Sequence, residues 1–508
     1  MCSLLAISLH AQDGFGSYLR DIIQKQEKGI LVTAKLIEAC GLCDSLDILM
    51  DYEYEKRYQQ GWIPERIYLY VDGHFPNGDN WTPKHRLYGY TLFTETDDFW
   101  EQQLGKNYKD ITVADVKNFV ANKGLYPDAI NDNQYDDENN MLNQFVTYHL
   151  LPRKLSADKL VNHVNEYGYS FSYPNKLGIP VAENYVTMGK RRLLRTYESA
   201  ESNGVYVNRF PVLDNGRHGT YHELSCDPDK AGIFIDVSKA ILDGIPNAVI
   251  YPIDQLLAYT EDVRDKFAHI RSRYDIAGLF PEFSNNDIRL KKSTVEKDQD
   301  IYIPNSLLYS YLDDMTFNNE SSLMVYLNAW EYYWCNLNGD EIAVAGKYDV
   351  TLRLPPVPKR GEYELRYKCL ANAERGLTQF YFGTDKDNLK PAGMPVDFTK
   401  TLTTMSIGYS SDSGNDYADQ MVDNELYYKG YMKGAMSVTA NGTSSDIERN
   451  RNNSYRYIVV RQTMDPNQTY YLRFKCVIDS EQKKLFLDYI ELCPKAVYDN
   501  PNEPEDIW

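Results

Sequence analysis

Thirteen residues, 148–160, constrain this chain most, because they set a strand, a proline stop and a capped helical turn end to end. The apolar run 146–151 reads as a short strand that Pro152 must end, since proline has no amide to give a central ladder. Ser156 is placed to cap the turn Ala157, Asp158, Lys159 and Leu160, with Asp158 beside the positive helix terminus. Upstream, residues 91–100 repeat the grammar: a short strand, Thr96 as a cap, the acids Asp97 and Asp98 in the first turn, and the aromatic pair Phe99 and Trp100. Downstream, residues 247–257 supply a third block around Tyr251, Pro252 and Ile253.

In this order the blocks resemble the fasciclin domain, whose signature blocks read roughly TLFAPTDDAF and YHVVPGKLSADDL, with a closing strand near GVIHVIDGVL. Tyr148 and His149 fall on the family's Tyr-His pair, and Leu155, Ser156, Ala157 and Asp158 match outright. Glu95 replaces the usual proline, Thr94 the alanine, Trp100 the phenylalanine and Tyr251 the histidine of the last strand, while Arg153 stands where glycine is common. The resemblance implies an α+β fasciclin-like domain over 12–275, of a divergent bacterial kind, with an insertion at 51–88. It also implies Tyr148 and His149 as binding residues, since the family's pair is associated with adhesion. Read from the residues alone, His149 is a buried ring with a satisfied hydrogen bond.

A chain of 508 residues exceeds the usual span of one core, so two domains are expected. No apolar run reaches the length of about 18 residues that a membrane-spanning helix needs, and no integral span is expected. Tyrosine stands out at 43 residues; it favours strands and gives a surface rigid amphipathic area. With 73 acidic against 54 basic residues the formal charge is −19, which argues against nucleic acid as a partner. The densest basic cluster, Lys190, Arg191, Arg192 and Arg195, reads as a solvated strand edge. Residues 1–11 read as the tail of a secretory signal cleaved after Ala11, which predicts export to the periplasm or outer cell surface. Cys40, Cys43, Cys226, Cys335, Cys369, Cys476 and Cys493 then remain, an odd set that cannot be fully paired.

Apolar spacing predicts one or two helices over 22–50, a helix over 113–122 capped by Thr112, and a helix from Met141 toward Thr147. Residues 276–304 read as a connection. Beyond it, β-rich runs at 324–337, 348–354, 361–370, 377–382, 455–462, 469–478 and 484–492 predict an all-β sandwich of jelly-roll type over 305–508. Residues 363–369 and 470–476 share nearly the same text, so both are expected to turn Tyr, Leu, aromatic and Cys inward and Arg and Lys outward. The last run is similar to the closing strand of galactose-binding-like jelly rolls, which often read LDYIEL. With the proline-rich 354–358 ahead of it, this half is similar to the C-terminal half of fasciclin-domain proteins from gut Bacteroidota, a group often linked to surface nutrient acquisition.

No nucleophile elbow, zinc-protease helix or phosphate-binding loop is present, and no catalytic residue, metal ligand or cofactor is assigned. Cys40 and Cys43 follow a helical run and read as buried thiols or a local disulfide. His218, His222 and Cys226 recur every fourth residue, but Gly216, Gly219 and Thr220 argue for a polar loop. Two acidic runs, one through Asp132, Asp136, Asp137 and Glu138 and one through Asp412, Asp416, Asp419 and Asp423, lack the calcium-loop glycine and read as solvated loops. Trp330, Tyr332, Tyr333 and Trp334 are candidates to stack on sugars, although the same alternation suits a core. The expected function is non-catalytic: an exported cell-envelope protein that binds a protein or glycan partner, accessory to nutrient acquisition. A carbohydrate-binding module acting through the C-terminal sandwich is the second reading, and a glycan hydrolase the third.

Overall fold

The computed structural model describes residues 14–69, 79–162, 181–199, 204–210, 212–214, 222–225, 231–289, 300–328, 334–440, 447–478, 483–502 and 504–508. The fold is mixed α/β and rich in strands. The three sequence blocks meet in one three-stranded sheet: Tyr90–Glu95 lies in the middle, parallel to Ala248–Ile253 and antiparallel to Leu150–Leu151. Every residue of Tyr90–Glu95 is buried, as a strand covered on both faces requires. Thr96 then caps the helix Asp97–Leu104, its hydroxyl accepting from Phe99 N at 3.2 Å. Asp97 reaches back to the start of the helix Leu31–Ala39, accepting from the amides of Gly29, Leu31 and Val32 at 2.7, 3.0 and 2.9 Å. One buried carboxylate thus satisfies three orphan donors.

The run 146–151 is mostly not a strand. A helix, Met141–Tyr148, extends through Val146, His149 closes it, and only Leu150–Leu151 joins the ladder. Asn140 starts that helix by accepting from Leu142 N at 2.8 Å, and Met141, Leu142, Phe145 and Val146 give it a helical apolar face. Ser156 makes no side-chain cap bond; Ala157–Lys159 is a single 3-10 turn. The helix Val113–Asn122 starts at Thr112 as its spacing predicts, with Asp115 completing a capping box.

The 51–88 insertion and the 276–304 connection are both woven into the second half. Arg66–Tyr68 and Asp79–Trp81 form one end of a six-stranded sheet that continues through Ile301–Ile303, Leu323–Leu327 and Glu341–Ala345 to Lys484–Leu487. A five-stranded sheet runs in the order Ser272–Asp275, Tyr489–Pro494, Gly361–Leu370, Ser454–Met464, Tyr431–Lys433. It faces a further sheet containing Asp349–Arg353, Tyr471–Cys476 and Leu377–Gly383, and the Tyr367 ring meets Phe380 and Phe474 across the gap at 5.8 and 5.3 Å. Among the described residues no helix is long and apolar enough to cross a membrane.

Of the two look-alike strands, Tyr471–Cys476 keeps the expected alternation, with Leu472 and Phe474 buried and Arg473 and Lys475 half-buried. Gly361–Leu370 does not. Glu364, Arg366 and Lys368 are all 0% exposed, because this central strand is covered on its second face as well.

Candidate functional site

The second face of the five-stranded sheet carries a buried lattice of charges. Register places Arg273, Glu491 and Arg366 side by side on three adjacent strands. Glu491 accepts from Arg273 Nε at 2.9 Å, from Arg456 Nη1 at 3.1 and 3.2 Å and from Arg366 Nη1 at 3.3 Å. Burial opposes its ionisation, but the guanidiniums of Arg456, Arg273, Arg271 and Arg366 outweigh burial and hold the carboxyl well below the usual range. Lys368 Nζ donates to Cys335 O and Asn336 Oδ1, both at 3.0 Å, and pairs with Asp488 at 2.6 Å.

Two elements cover this face. The helix Asp416–Tyr428 is capped by Asn415, which accepts from Ala418 N at 3.0 Å. The acidic run there is not a solvated loop: Asp412 pairs with Lys433 and Arg449, both at 2.6 Å, Asp423 pairs with Arg449 at 2.7 Å, and Asp419 accepts from the amides of Ser413 and Gly414. The segment 504–508 is the second cover. Glu505 pairs with Arg366 and Arg271, Asp506 with Arg271 at 2.8 Å, and Trp508 O accepts from Arg273 Nη2 at 2.9 Å and Ser437 Oγ at 3.1 Å.

Between these covers and the strand ends opens a cavity of about 480 Å³. Buried Lys433, Arg449 and Arg456 line its depth; Tyr427, Tyr428 and Tyr498 supply rings, and Glu362, Arg461 and Lys495 line it from neighbouring strand and helix positions. The Arg461 guanidinium lies 5.3 Å from the Tyr427 ring and 5.2 Å from that of Tyr498. Its Nε donates to Glu364 Oε1 at 2.8 Å, and the Tyr427 hydroxyl donates to the same oxygen at 2.5 Å. Five acids and five bases line the cavity, so it presents donors and acceptors with no net charge. Its two carboxyls with displaced values both move down. Glu362 falls through a hydrogen bond from Tyr498, and Glu505, despite burial, is drawn to about 2 by Arg366 and Arg271. That is the wrong direction for a general acid.

The residues singled out in the sequence lie elsewhere. Tyr148 is 1% exposed, donating to Leu193 O at 3.0 Å and accepting from Asn208 Nδ2 at 2.8 Å. His149 is 3% exposed, its Nδ1 donating to Phe145 O at 2.7 Å and its Nε2 3.1 Å from Glu95 Oε2. Both are interior residues of the first half, out of reach of a surface partner. Trp334 is half-buried beside Phe486, ring centroids 5.9 Å apart, and does not line the cavity. Trp330, Tyr332 and Tyr333 lie outside the described residues, as do 1–11, His218, Cys226 and the side chain of His222. His222–Ser225 is a strand, so no helix aligns that histidine with its neighbours. Cys40 and Cys43 are buried free thiols. Sequence reasoning missed Tyr427, Tyr428, Arg461 and Tyr498. The one local signal was Tyr417, Met421 and Tyr428 at helical spacing, which the structure leaves 75%, 56% and 87% exposed.

No family model matches this chain, and no curated protein does. Among solved structures, a xanthan lyase from Paenibacillus aligns with 62% of this chain and 22% of its own at 12% identity and a TM-score of 0.21. A 4-O-methyl-α-glucuronidase specific for decorated arabinogalactans aligns with 42% of this chain and 20% of its own, at 9% identity and a TM-score of 0.17. A cleaved adhesin domain of Lys-gingipain from Porphyromonas gingivalis aligns with 38% of this chain and 95% of its own, at 10% identity and a TM-score of 0.17. The chain spans only about a fifth of the first two proteins. Likeness at this level carries no argument about fold or activity.

Proposed function

We propose that this chain is a non-catalytic, exported cell-envelope protein that holds a glycan in the cavity of its second half. The observation that carries the reading is the lining itself: tyrosine rings set among charged groups that are already paired with one another. Such a wall offers hydrogen-bond donors and acceptors to hydroxyls without demanding a charged ligand, while ring faces suit the C-H surfaces of a sugar. Contact through Tyr148 and His149 is set aside because both are buried.

The fasciclin-like reading of the first half draws support from its three blocks sharing one sheet, the first and third parallel. The jelly-roll reading of the second half draws support from the two facing sheets and their shared aromatic core. A printed array of plant and host glycans, probed with the full chain, tests the ligand class; binding to none of them sinks the glycan reading. Cell fractionation tests the location, and recovery of the full-length protein in the cytosol sinks that part.

A further inference from the structure

The densest basic run, Lys190, Arg191 and Arg192, is not a solvated strand edge. It sits on the turn that joins Val181–Val186 to Leu193–Ser199, and the turn is tightly fixed. Gly189 and Arg191 take φ of +60° and +53°, and a Cβ on Gly189 would clash with the Thr147 side chain. Thr187 N donates to Arg192 O at 2.9 Å, and Arg192 N to Thr187 Oγ1 at 3.1 Å. The backbone that carries three consecutive cationic residues is therefore fixed.

They line a cleft. Two adjoining cavities of about 140 and 330 Å³ share Lys190, Arg192, Pro466 and Asn467. Arg191 and Arg353 enter the smaller lobe and Arg264 the larger, while Glu138 and Asp128 are the acids of the lining. Five cations thus face two carboxylates, in a chain whose net charge is −19. Lys190 pairs with Glu138 at 3.3 Å, Arg191 with Asp314 at 2.9 Å, Arg353 with the same Asp314 at 3.7 Å, and Arg264 with Glu261 at 2.9 Å. Arg192 meets no carboxylate among the described residues; it donates to Pro466 O at 3.5 Å and lies 5.7 Å from the Tyr259 ring. The Nε groups of Arg264 and Arg353 are buried without a hydrogen-bond partner. Burial lowers the values of Arg192 and Arg353, with Arg264 adding to the effect on the first and Arg191 on the second. Arg192, which has no carboxylate partner among the described residues, and Arg353, which shares Asp314 with Arg191 and keeps an unbonded Nε, are what an incoming anion would satisfy.

We propose that this cleft is an anion site for a small ligand bearing an oxyanion group, whether carboxylate, sulfate or phosphate, with Arg192 and Arg353 making the direct contacts. A guanidinium fork matches any of these oxyanions with two parallel hydrogen bonds. The smaller lobe has room for the head group. The larger lobe, walled by Tyr126, Tyr259 and Pro358, has room for a ring-sized body.

The test uses the full chain in calorimetric titrations and melting curves with sulfate, phosphate and glucuronate, each against chloride at equal ionic strength. At least one probe binds the wild type and the exposed control Lys386→Gln and raises their melting temperatures; which probe does so identifies the oxyanion. Arg192→Gln and Arg353→Gln each weaken that binding by about tenfold or more, the loss of one charge-assisted pair. In chloride alone Arg192→Gln melts close to wild type, since it loses only the 3.5 Å bond to Pro466 O and the ring contact and leaves no carboxylate without its partner. The proposal is overturned if no probe outperforms chloride, if both variants respond as wild type does, or if Arg192→Gln melts well below wild type in chloride.

Discussion

Glu505 grips Arg366 with both carboxylate oxygens, Oε1 to Nη1 at 2.6 Å and Oε2 to Nη2 at 2.7 Å, and so fastens the 504–508 segment to the middle strand of a sheet. Arg366 is 0% exposed and also touches Glu364 and Glu491. Removing one partner of such a pair leaves a buried charge uncompensated. Glu505→Ala is expected to cost about 3 kcal/mol in urea unfolding. A loss below roughly 0.5 kcal/mol, the scale of an exposed pair, would show that the segment is not fastened in this way.

The same residue sets an acid limb. Glu505 is held at about 2 against an ordinary value of 4.5, so its contribution is complete above pH 4.5 and is lost as pH falls from 4.5 toward 2. Glu282 works in the opposite sense: burial and the nearby Asp313 push it up to about 7, so its ionisation lowers stability as pH rises from 4.5 to 7. Chemical denaturation across this range should show Glu505→Gln with a shallower acid limb, by up to about 3 kcal/mol, and Glu282→Gln with a flatter slope above pH 4.5. Unchanged slopes in both variants would remove these carboxylates from the account.

His149 donates through Nδ1 to Phe145 O, so its contact with Glu95 needs a proton between Nε2 and the carboxylate. Glu95 Oε1 also accepts from Leu257 N at 2.8 Å, tying the 247–257 block to the 91–100 block. Glu95→Ala and His149→Ala should each destabilise by about 3 kcal/mol and fall short of additivity by about 1 kcal/mol or more in the double variant. Full additivity would mean the two residues act separately.

Six cysteines among the described residues are buried, and burial pushes the thiols of Cys40 and Cys369 up to about 12. Of the eight cysteines, only Cys2 and Cys226 lie outside the described residues. An aromatic disulfide reagent at neutral pH should therefore titrate at most Cys2 and Cys226 in the native protein and reach the six buried thiols only after unfolding. Rapid labelling of three or more would contradict this burial.

Local signals in the sequence held at Thr96 and Thr112 but not at Ser156, which makes no cap bond. Thr96, Thr112 and the turn-bounded β runs became caps and strands because a cap or a ladder is decided within a few residues. The 141–151 region was ambiguous, since Phe145, Val146, Leu150 and Leu151 suit a helical face and a short strand alike; Asn140 decided for helix. The failure at Glu364, Arg366 and Lys368 is more instructive. Alternation tells which residues share a face, and the text of 363–369 gives no sign that a helix and a distant segment cover that face. The cavity was illegible for the same reason: its lining spans 362–507 and is assembled by strand register, not by a motif.

Calorimetric titration of the full chain with the glycan that binds most strongly on the array, for wild type beside Tyr428→Ala, tests the central claim most directly. Tyr428 is 87% exposed and lines the cavity, so its loss leaves the fold intact. The account predicts binding weakened by about tenfold, the scale of one aromatic contact, at an unchanged melting temperature. Identical affinities in the two proteins would place the glycan somewhere other than this cavity.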